Sequence, residues 1–178
     1  MDFRKYYALE SYLFDTVTSR FKTQGYLDAF DFFCIVIWKA QRAKSRIAKK
    51  LQAFENDLDR AAFILTRTIA QQPNAKERLR TLMDLHFPLP TSSAILTVLY
   101  PKEFTVYDKR VCNELGDFHK LTNLINFEAI WEGYQEFRRK VEESAPGDLT
   151  LRDKDRYLWG KSFYKQLRDD IQQEFKNT

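Results

Sequence analysis

A run of basic side chains is the feature of this chain that most clearly suggests a function, because its residue types and spacing could bind phosphates. The segment Trp38–Lys50 reads WKAQRAKSRIAKK and carries six basic residues and no acidic one. On a continuous helix, five of the six fall within an arc of about 100°. Bases without interspersed acids attract a polyanion and release its counterions, which predicts a phosphate-binding face, and the solvated side of an ordinary amphipathic helix is the alternative. The five are Lys39, Arg42, Arg46, Lys49 and Lys50.

The positive charge of the chain is concentrated in this segment. The 178 residues include 29 Lys and Arg against 25 Asp and Glu, a net charge of +4. Without the six bases, the remaining 23 basic and 25 acidic residues leave a net charge of −2. The excess positive charge is therefore a local feature and not a property of the whole protein.

Other chemistry-bearing residues are few and isolated. Cys34 and Cys112 lie among apolar neighbours and far apart in sequence, which predicts buried free thiols. His86 and His119 stand alone, and no Cys/His spacing suits zinc or an iron–sulfur cluster. There is no glycine-rich phosphate loop and no Ser/His or Cys/His constellation. We therefore predict no metal and no cofactor.

The composition predicts a globular helical protein. Glycine and proline number 5 each, with 44% hydrophobic and 30% charged residues, which excludes collagen-like, low-complexity and turn-dense all-β chains. The longest apolar run, Phe32–Trp38, has seven residues, against the roughly 20 that a membrane span needs. The first residues show no signal-peptide pattern. We predict a cytoplasmic protein with no membrane partner.

Helical periodicity recurs along the chain and predicts an all-α fold, a single compact domain of all 178 residues with about eight helices. The first helix covers Tyr6–Phe21 and stops at Gly25, and Asp28 or Asp31 caps the second. The second helix enters the basic segment without a breaker, so we expect it to reach about Phe54. The others are expected at 57–70, 75–85, 94–99, 108–115, 127–143 and 150–175.

Two short elements lie in the middle of the chain. Thr91–Ser92 can cap the helix over Ala94–Leu99, which a proline ends. A short extended stretch, Phe104–Tyr107, then leads to Asp108 at the start of the next helix. Asp108 either completes a capping box with the Thr105 N–H or is itself the N-cap.

The segment Phe87–Leu115 reads FPLPTSSAILTVLYPKEFTVYDKRVCNEL and resembles the helix-hairpin-helix DNA glycosylase superfamily. It looks most like the divergent bacterial proteins grouped as oxoguanine-glycosylase-like. In that superfamily a hairpin, an apolar helix, a loop with proline and an extended hydrophobic stretch precede an Asp followed by a basic residue or His. Asp108 and Arg110 match those last two positions, and Trp38–Arg42 and Leu151–Phe163 also look like the divergent group.

The resemblance implies a monofunctional enzyme that hydrolyses the N-glycosidic bond of a base flipped out of duplex DNA. Asp108 matches the catalytic aspartate, whose carboxylate stabilises positive charge on the deoxyribose or orients a water. Aromatic side chains commonly sandwich the flipped base, which makes Trp38, Tyr107 and Trp159 candidates for the pocket. Packing in the core or at its rim is the alternative for all three.

The hairpin departs from the family pattern. Its turn has no glycine, so phosphate capture would depend on the helix N-terminus and on the hydroxyls of Thr91, Ser92 and Ser93, which can equally cap the helix. The resemblance adds Arg110 to these nucleic-acid-binding candidates. No lysine stands where bifunctional members form a Schiff base, so lyase chemistry is not expected, and no cysteine cluster follows the final helix.

The last predicted helix begins with alternating charges. Arg152–Arg156 follow Thr150, a pattern that predicts a salt-bridge network, while Arg156 and Lys161 reaching a nucleic-acid phosphate is the alternative. Gly160 within a helix predicts a close helix crossing or the approach of a ligand.

Three functional hypotheses remain. The leading one is a DNA-binding enzyme of the glycosylase type, with Asp108 in the active site and the basic segment on the phosphates. The second is a non-catalytic nucleic-acid-binding module on the same scaffold, consistent with the missing lysine and hairpin glycines. The third is a helical interaction protein whose basic face meets an acidic partner protein.

Overall fold

The computed structural model describes residues 3–174. Every regular element among them is a helix and none is a strand, which confirms the all-α class. Internal contacts divide the chain into two compact units, with the boundary between Glu103 and Phe104. A single domain and a glycosylase-like arrangement of the helices stay predictions.

Polar caps and a glycine mark helix ends in the first unit, and those at Asp28 and Gly25 were predicted from the sequence. Asp28, Asp57 and Asn74 each accept a hydrogen bond from the backbone N–H three residues later and so cap a helix. Gly25 ends a helix with φ of 76°, a left-handed conformation that glycine adopts without strain. The α-helices are Arg4–Tyr7 (α1), Leu9–Ser11 (α2), Thr18–Gln24 (α3), Ala29–Ala40 (α4), Lys44–Gln52 (α5), Leu58–Gln71 (α6), Ala75–Asp84 (α7) and Leu89–Leu99 (α8), with a π-helix at Tyr12–Val17 and a 3₁₀ helix at Gln41–Ala43.

Helix α8 is the most deeply buried element of the first unit. All its residues except Pro90 are buried, and it packs against α3, α4, α7 and the π-helix. It begins at Leu89 with Pro88 as N-cap, so the expected cap at Thr91–Ser92 is wrong. Pro90 is tolerated in the first turn because the backbone N–H groups there have no partner within the helix.

The long second helix predicted to reach about Phe54 is broken. Ala40 leaves the helical conformation with φ of −160°, a 3₁₀ turn follows, and α5 starts at Lys44. No glycine or proline marks this point in the sequence. Helix α4 packs on α8 and α6, whereas α5 packs on α6 and folds back on α4. The break lets both helices bury their apolar sides, which is a tertiary requirement that local propensity does not encode.

The second unit has three α-helices and one 3₁₀ helix in residues 104–174. Asp108, Asn126 and Thr150 cap the α-helices through their side-chain oxygens, which confirms the predicted cap at Thr150. The last helix was expected to reach about residue 175, which lies outside the described residues. The elements are Lys109–Leu115 (α9), the 3₁₀ helix His119–Asn123, Phe127–Ser144 (α10) and Leu151–Gln172 (α11).

The stretch Phe104–Tyr107, which the sequence predicts to be extended and which we call the extended stretch for that reason, lies between helices and is wholly buried. Side chains from α10 and α11 accept hydrogen bonds from two of its backbone N–H groups. The Thr105 N–H donates to the Tyr134 hydroxyl on α10 at 3.1 Å, and the Val106 N–H donates to the Asp155 carboxylate on α11 at 3.4 Å. Buried backbone groups need partners, so these two bonds allow a strand-like segment to cross a helical core without a sheet.

Two glycines lie inside helices of the second unit, and only one has a packing reason within the described chain. A Cβ on Gly133 of α10 would overlap the Leu121 side chain, so glycine permits this close approach. A Cβ on Gly160 of α11 would meet nothing within 4 Å. The predicted close crossing of Gly160 with another helix of this chain is therefore wrong, and its cost to the helix of about 1 kcal/mol relative to Ala has no offset there.

Candidate functional site

The six bases of the basic segment divide into two groups by what they contact. Lys50 donates to the backbone oxygen of His86, and burial together with the charge of Arg46 lowers its pKa. Lys39 is half-buried on α4. The other four are exposed and have no carboxylate partner in residues 3–174, and we call them the cationic patch: Arg42, Lys44, Arg46 and Lys49.

The cationic patch differs from the arc that the sequence predicts. The break at Ala40 places Lys39 on α4, so the five predicted bases do not share one continuous helix, and that expectation is wrong. On α5, Arg46 and Lys49 lie on the side away from the buried Ile47 and Leu51. Lys44, outside the predicted arc, is the first residue of α5 and belongs to the patch.

The start of α5 adds to the positive potential. Its N-cap, Ala43, offers no side-chain oxygen, and its first turn contains no acidic residue. The first backbone N–H groups of a helix have no partner within it, and the helix dipole is positive there. Lys44 therefore adds positive charge to an already positive helix end.

Four arginines elsewhere in the first unit contact carboxylates. These ion pairs neutralise part of the positive charge that lies outside the cationic patch, whereas Lys22, Arg67 and Lys102 are exposed elsewhere in the unit. The pairs are Arg20 with Asp31, Arg60 with Glu55, Arg78 with Glu103, and Arg80 with Glu77.

The hairpin hydroxyls are not on the surface. Thr91, Ser92 and Ser93 are at most 5% exposed because α8 lies in the core. The Ser92 hydroxyl donates to the Phe87 carbonyl and the Ser93 hydroxyl to the Pro90 carbonyl, both at 3.3 Å. They do not form the exposed phosphate site that the sequence suggests.

Asp108 has a local structural role. Its carboxylate accepts a hydrogen bond from the Arg110 N–H at 2.9 Å, which caps α9, and the residue is half-buried. The Thr105 N–H instead donates to Tyr134, so the capping-box interpretation is wrong and the N-cap interpretation is confirmed. Asp108 lies at the end of the buried extended stretch, and that stretch sets its position.

Arg110 is engaged within its own unit. Its guanidinium lies 5.2 Å from the centre of the Trp159 ring and 5.3 Å from that of Phe163, two rings stacked at 9° to each other. It also donates to the Gln166 side chain at 2.7 Å. Arg110 thus joins α9 to α11, and a phosphate contact would compete with these interactions.

The three aromatic candidates for a base pocket have different surroundings. Tyr107 is 3% exposed, donates to the Phe118 carbonyl at 2.6 Å and has its pKa raised by burial. It therefore packs in the core, which was the alternative to a role in a base pocket. Trp38, in the first unit, is half-buried with its ring edge-to-face on Phe14. Trp159, in the second unit, is exposed on α11.

A buried polar network in the first unit was missed by sequence reasoning. Asp31 is fully buried, accepts from the Tyr12 hydroxyl at 2.6 Å and pairs with Arg20. Burial and the bond to Asp31 raise the pKa of Tyr12. The sequence predicts either Asp28 or Asp31 as the N-cap of α4, and in the structure Asp28 caps it. Each Asp31 oxygen accepts one of the bonds from Tyr12 and Arg20, so the network ties the π-helix and α3 to α4.

The alternating charges of α11 form the predicted network. Arg156 donates to Asp153 at 2.9 Å, and Arg152 pairs with the buried Asp155. Asp155 also holds the extended stretch, so the network has a positioning role that the pattern alone did not reveal. Lys161 pairs with Glu114 of α9 at 2.6 Å.

Both cysteines are buried free thiols, as predicted. Burial, with the charges of Asp31 and Asp28, raises the pKa of Cys34 to about 11. Within residues 3–174, no cluster of three or more His, Cys, Asp or Glu side chains is arranged to hold a metal ion. No helix in the same range combines the length and the apolar character needed to cross a bilayer.

The chain was also compared with known proteins. No family model matches it, and no curated protein or solved structure matches it. The resemblance carried by Phe87–Leu115 therefore stays a prediction from the sequence.

Proposed function

We propose that the protein binds nucleic acid through the cationic patch of its first unit. The observation that carries the proposal is that the four bases of the patch are exposed without a carboxylate partner in the described chain. They lie just before and within the first two turns of a helix that no side chain caps, while four arginines elsewhere in the unit are ion-paired. Such a site neutralises phosphates and releases their counterions.

The neighbours of the patch favour a phosphate backbone over an acidic protein. Gln41 and Ser45, which are neighbours of the four bases in sequence, are exposed and polar, whereas the exposed hydrophobic side chains Ile37 and Phe54 lie outside the basic segment. Protein interfaces depend on aromatic or aliphatic anchors at their centre, whereas amide, hydroxyl and basic side chains are the groups that contact phosphates. Duplex DNA is the form that we propose, because regularly spaced phosphates suit a rigid group of cations.

The experiment compares two variants that remove the same charge. Lys44→Gln/Lys49→Gln alters the patch, whereas Lys22→Gln/Lys102→Gln alters two exposed lysines elsewhere in the first unit. Binding to a fluorescent duplex is measured by anisotropy at low salt. We expect the patch variant to lose about tenfold in affinity and the control less than about twofold. Equal affinities for the two variants, or no binding by the wild type, would refute the proposal.

Base excision by Asp108 is the finer proposal, supported by the resemblance and by the half-buried carboxylate at the end of the extended stretch. Release of bases is assayed on duplexes that carry a panel of lesions. Asp108→Asn keeps an N-cap while removing the negative charge, so loss of release in this variant would support a catalytic role. Retained release would contradict that role. Binding by the wild type without release on any duplex favours the non-catalytic module.

A further inference from the structure

The last helix carries an apolar face that is open to solvent. Phe163, Leu167 and Ile171 follow one another at four-residue spacing and form one stripe, with Tyr164 beside it and Trp159 at its edge. These five side chains are between 38% and 64% exposed. Contiguous exposed apolar patches of this kind mark interaction sites on globular proteins. We call the stripe, together with Tyr164 and Gly160, the α11 face.

Gly160 is an independent sign that a second backbone approaches this face. It lies one helical turn before Phe163 and Tyr164, and a Cβ there would meet no atom of the described chain within 4 Å. The other mid-helix glycine of this unit, Gly133, makes room for Leu121. Nothing within residues 3–174 requires a glycine here, and the open space beside Gly160 leaves room for an external neighbour to pack closely against the helix.

The charges along α11 favour a second copy of this chain, in antiparallel orientation, as the neighbour. Arg156, which also pairs with Asp153 of its own helix, lies near the N-terminal end of the α11 face, and Asp170 lies near its C-terminal end. An antiparallel second copy that brings Arg156 of each chain beside Asp170 of the other places Gly160 of one copy opposite Gln166 and Leu167 of the other. A parallel copy would instead bring like charges together. This self-complementarity is what a two-fold symmetric interface requires.

We propose that the α11 face pairs antiparallel with the same face of a second copy of this chain. A nucleic acid is a poorer occupant, although exposed aromatic rings can stack on bases. Lys161 and Lys165 on this helix are tied to Glu114, and Asp170 adds negative charge at the other end. The proposal concerns the second unit and goes beyond nucleic-acid binding by the cationic patch.

Sedimentation velocity of the full chain, over a range of about 5 to 200 μM, tests the pairing. A single helix pair is a small interface, so we expect a dissociation constant on the order of 10 μM. Leu167→Glu and Gly160→Leu should each abolish the dimer. The matched control is Ile64→Glu in the first unit, because Leu167 and Ile64 are both 38% exposed, and this control should still dimerise. Thermal unfolding shows whether each variant is folded.

Charge exchange tests the antiparallel direction. Arg156→Glu and Asp170→Arg should each weaken the dimer about tenfold, and the double variant should recover it. Recovery supports the antiparallel arrangement, and its absence overturns it.

A wild type that stays monomeric throughout the concentration range would overturn the proposal. So would a dimer that survives both Leu167→Glu and Gly160→Leu in folded protein, because another face would then be responsible. A monomer that loses affinity for single-stranded DNA on Leu167→Glu would assign the α11 face to nucleic acid instead. Sedimentation velocity measures the mass of the protein in the absence of DNA. A failure of the dimer proposal can therefore be distinguished from a failure of nucleic-acid binding by the cationic patch.

Discussion

The Tyr134 hydroxyl bonds to both backbone polar groups of Thr105, accepting from its N–H at 3.1 Å and donating to its carbonyl at 2.7 Å. Burial raises the pKa of Tyr134, so the hydroxyl remains a donor at neutral and moderately alkaline pH. The segment Phe104–Tyr107 has no strand beside it in the described chain. The Tyr134 side chain therefore makes the two hydrogen bonds to Thr105 that a neighbouring strand would otherwise make. Asp108 follows directly, so its position depends on this pair.

Tyr134→Phe should strongly destabilise the second unit. The change removes one hydroxyl and leaves a buried N–H and a buried carbonyl without partners, for which we expect a loss of about 3 kcal/mol in the free energy of unfolding. Urea unfolding measures it. Tyr164→Phe is the control, because Tyr164 is 64% exposed, and it should change stability by less than about 0.5 kcal/mol. Equal effects of the two variants would contradict the role given to Tyr134.

The two mid-helix glycines predict opposite effects of the same substitution. Gly160→Ala should stabilise dilute protein by about 0.5 to 1 kcal/mol, because alanine favours the helix and its Cβ has room. Gly133→Ala should destabilise by about 1 kcal/mol, because its Cβ overlaps the buried Leu121 and overpacking outweighs the gain in propensity. Thermal and urea unfolding of both variants provide the comparison. Shifts of the same sign would contradict this explanation.

Glu114 should make stability depend on acid pH. Burial raises its pKa, but hydrogen bonds and charges from Lys161 and Lys165 outweigh burial and bring the pKa below its ordinary 4.5. A carboxylate with a lowered pKa stabilises the fold above its unfolded pKa and loses that contribution as the pH falls through the folded value. Glu114→Gln should therefore be less stable than the wild type at pH 7.

Urea unfolding from pH 7 to pH 3 tests this dependence. The difference between wild type and Glu114→Gln should begin to narrow as the pH approaches 4.5 and continue to narrow below it. Glu136→Gln is the control, since Glu136 forms an exposed pair with Arg139, and such pairs contribute little to stability. A difference that stays constant down to pH 3 would be inconsistent with an ionised Glu114 between the two lysines.

The capping role of Asp108 predicts effects on stability that do not depend on any catalytic activity. Asp108→Ala removes the acceptor for the Arg110 N–H and should lower stability by about 1 kcal/mol, whereas Asp108→Asn keeps an acceptor and should differ from wild type by a few tenths. Urea unfolding measures both. Equal losses in the two variants would show that the negative charge, not the cap, stabilises the helix.

The cationic patch predicts a particular salt dependence of DNA binding. Each phosphate contact contributes about 0.9 to the slope of log affinity against log salt on duplex DNA, so Lys44→Gln/Lys49→Gln should reduce the slope by about 2. Anisotropy titrations at several salt concentrations measure the slope. The control Lys22→Gln/Lys102→Gln should keep the wild-type slope. A patch variant with an unchanged slope would place the phosphate contacts elsewhere.

Local signals were sufficient for much of the secondary structure. Gly25, Asp28 and Thr150 end or begin helices as predicted, because a left-handed glycine and a side-chain oxygen acting as a cap need only their immediate neighbours. The non-helical stretch before Asp108 and the helix start at that residue were also predictable. The break after Ala40 was not, because it satisfies the packing of α4 and α5 on different helices and leaves no mark in the sequence.

The candidate site shows the same division. The sequence by itself determined that the excess positive charge lies in residues 38–50, since charge depends only on residue type. Tertiary structure decided which of these bases remain without partners, because Lys50 reaches a backbone oxygen that lies 36 residues away in sequence. It also buried Ser92 and exposed the stripe that includes Leu167. Burial and pairing depend on contacts between distant segments, and those contacts exist only in the folded chain.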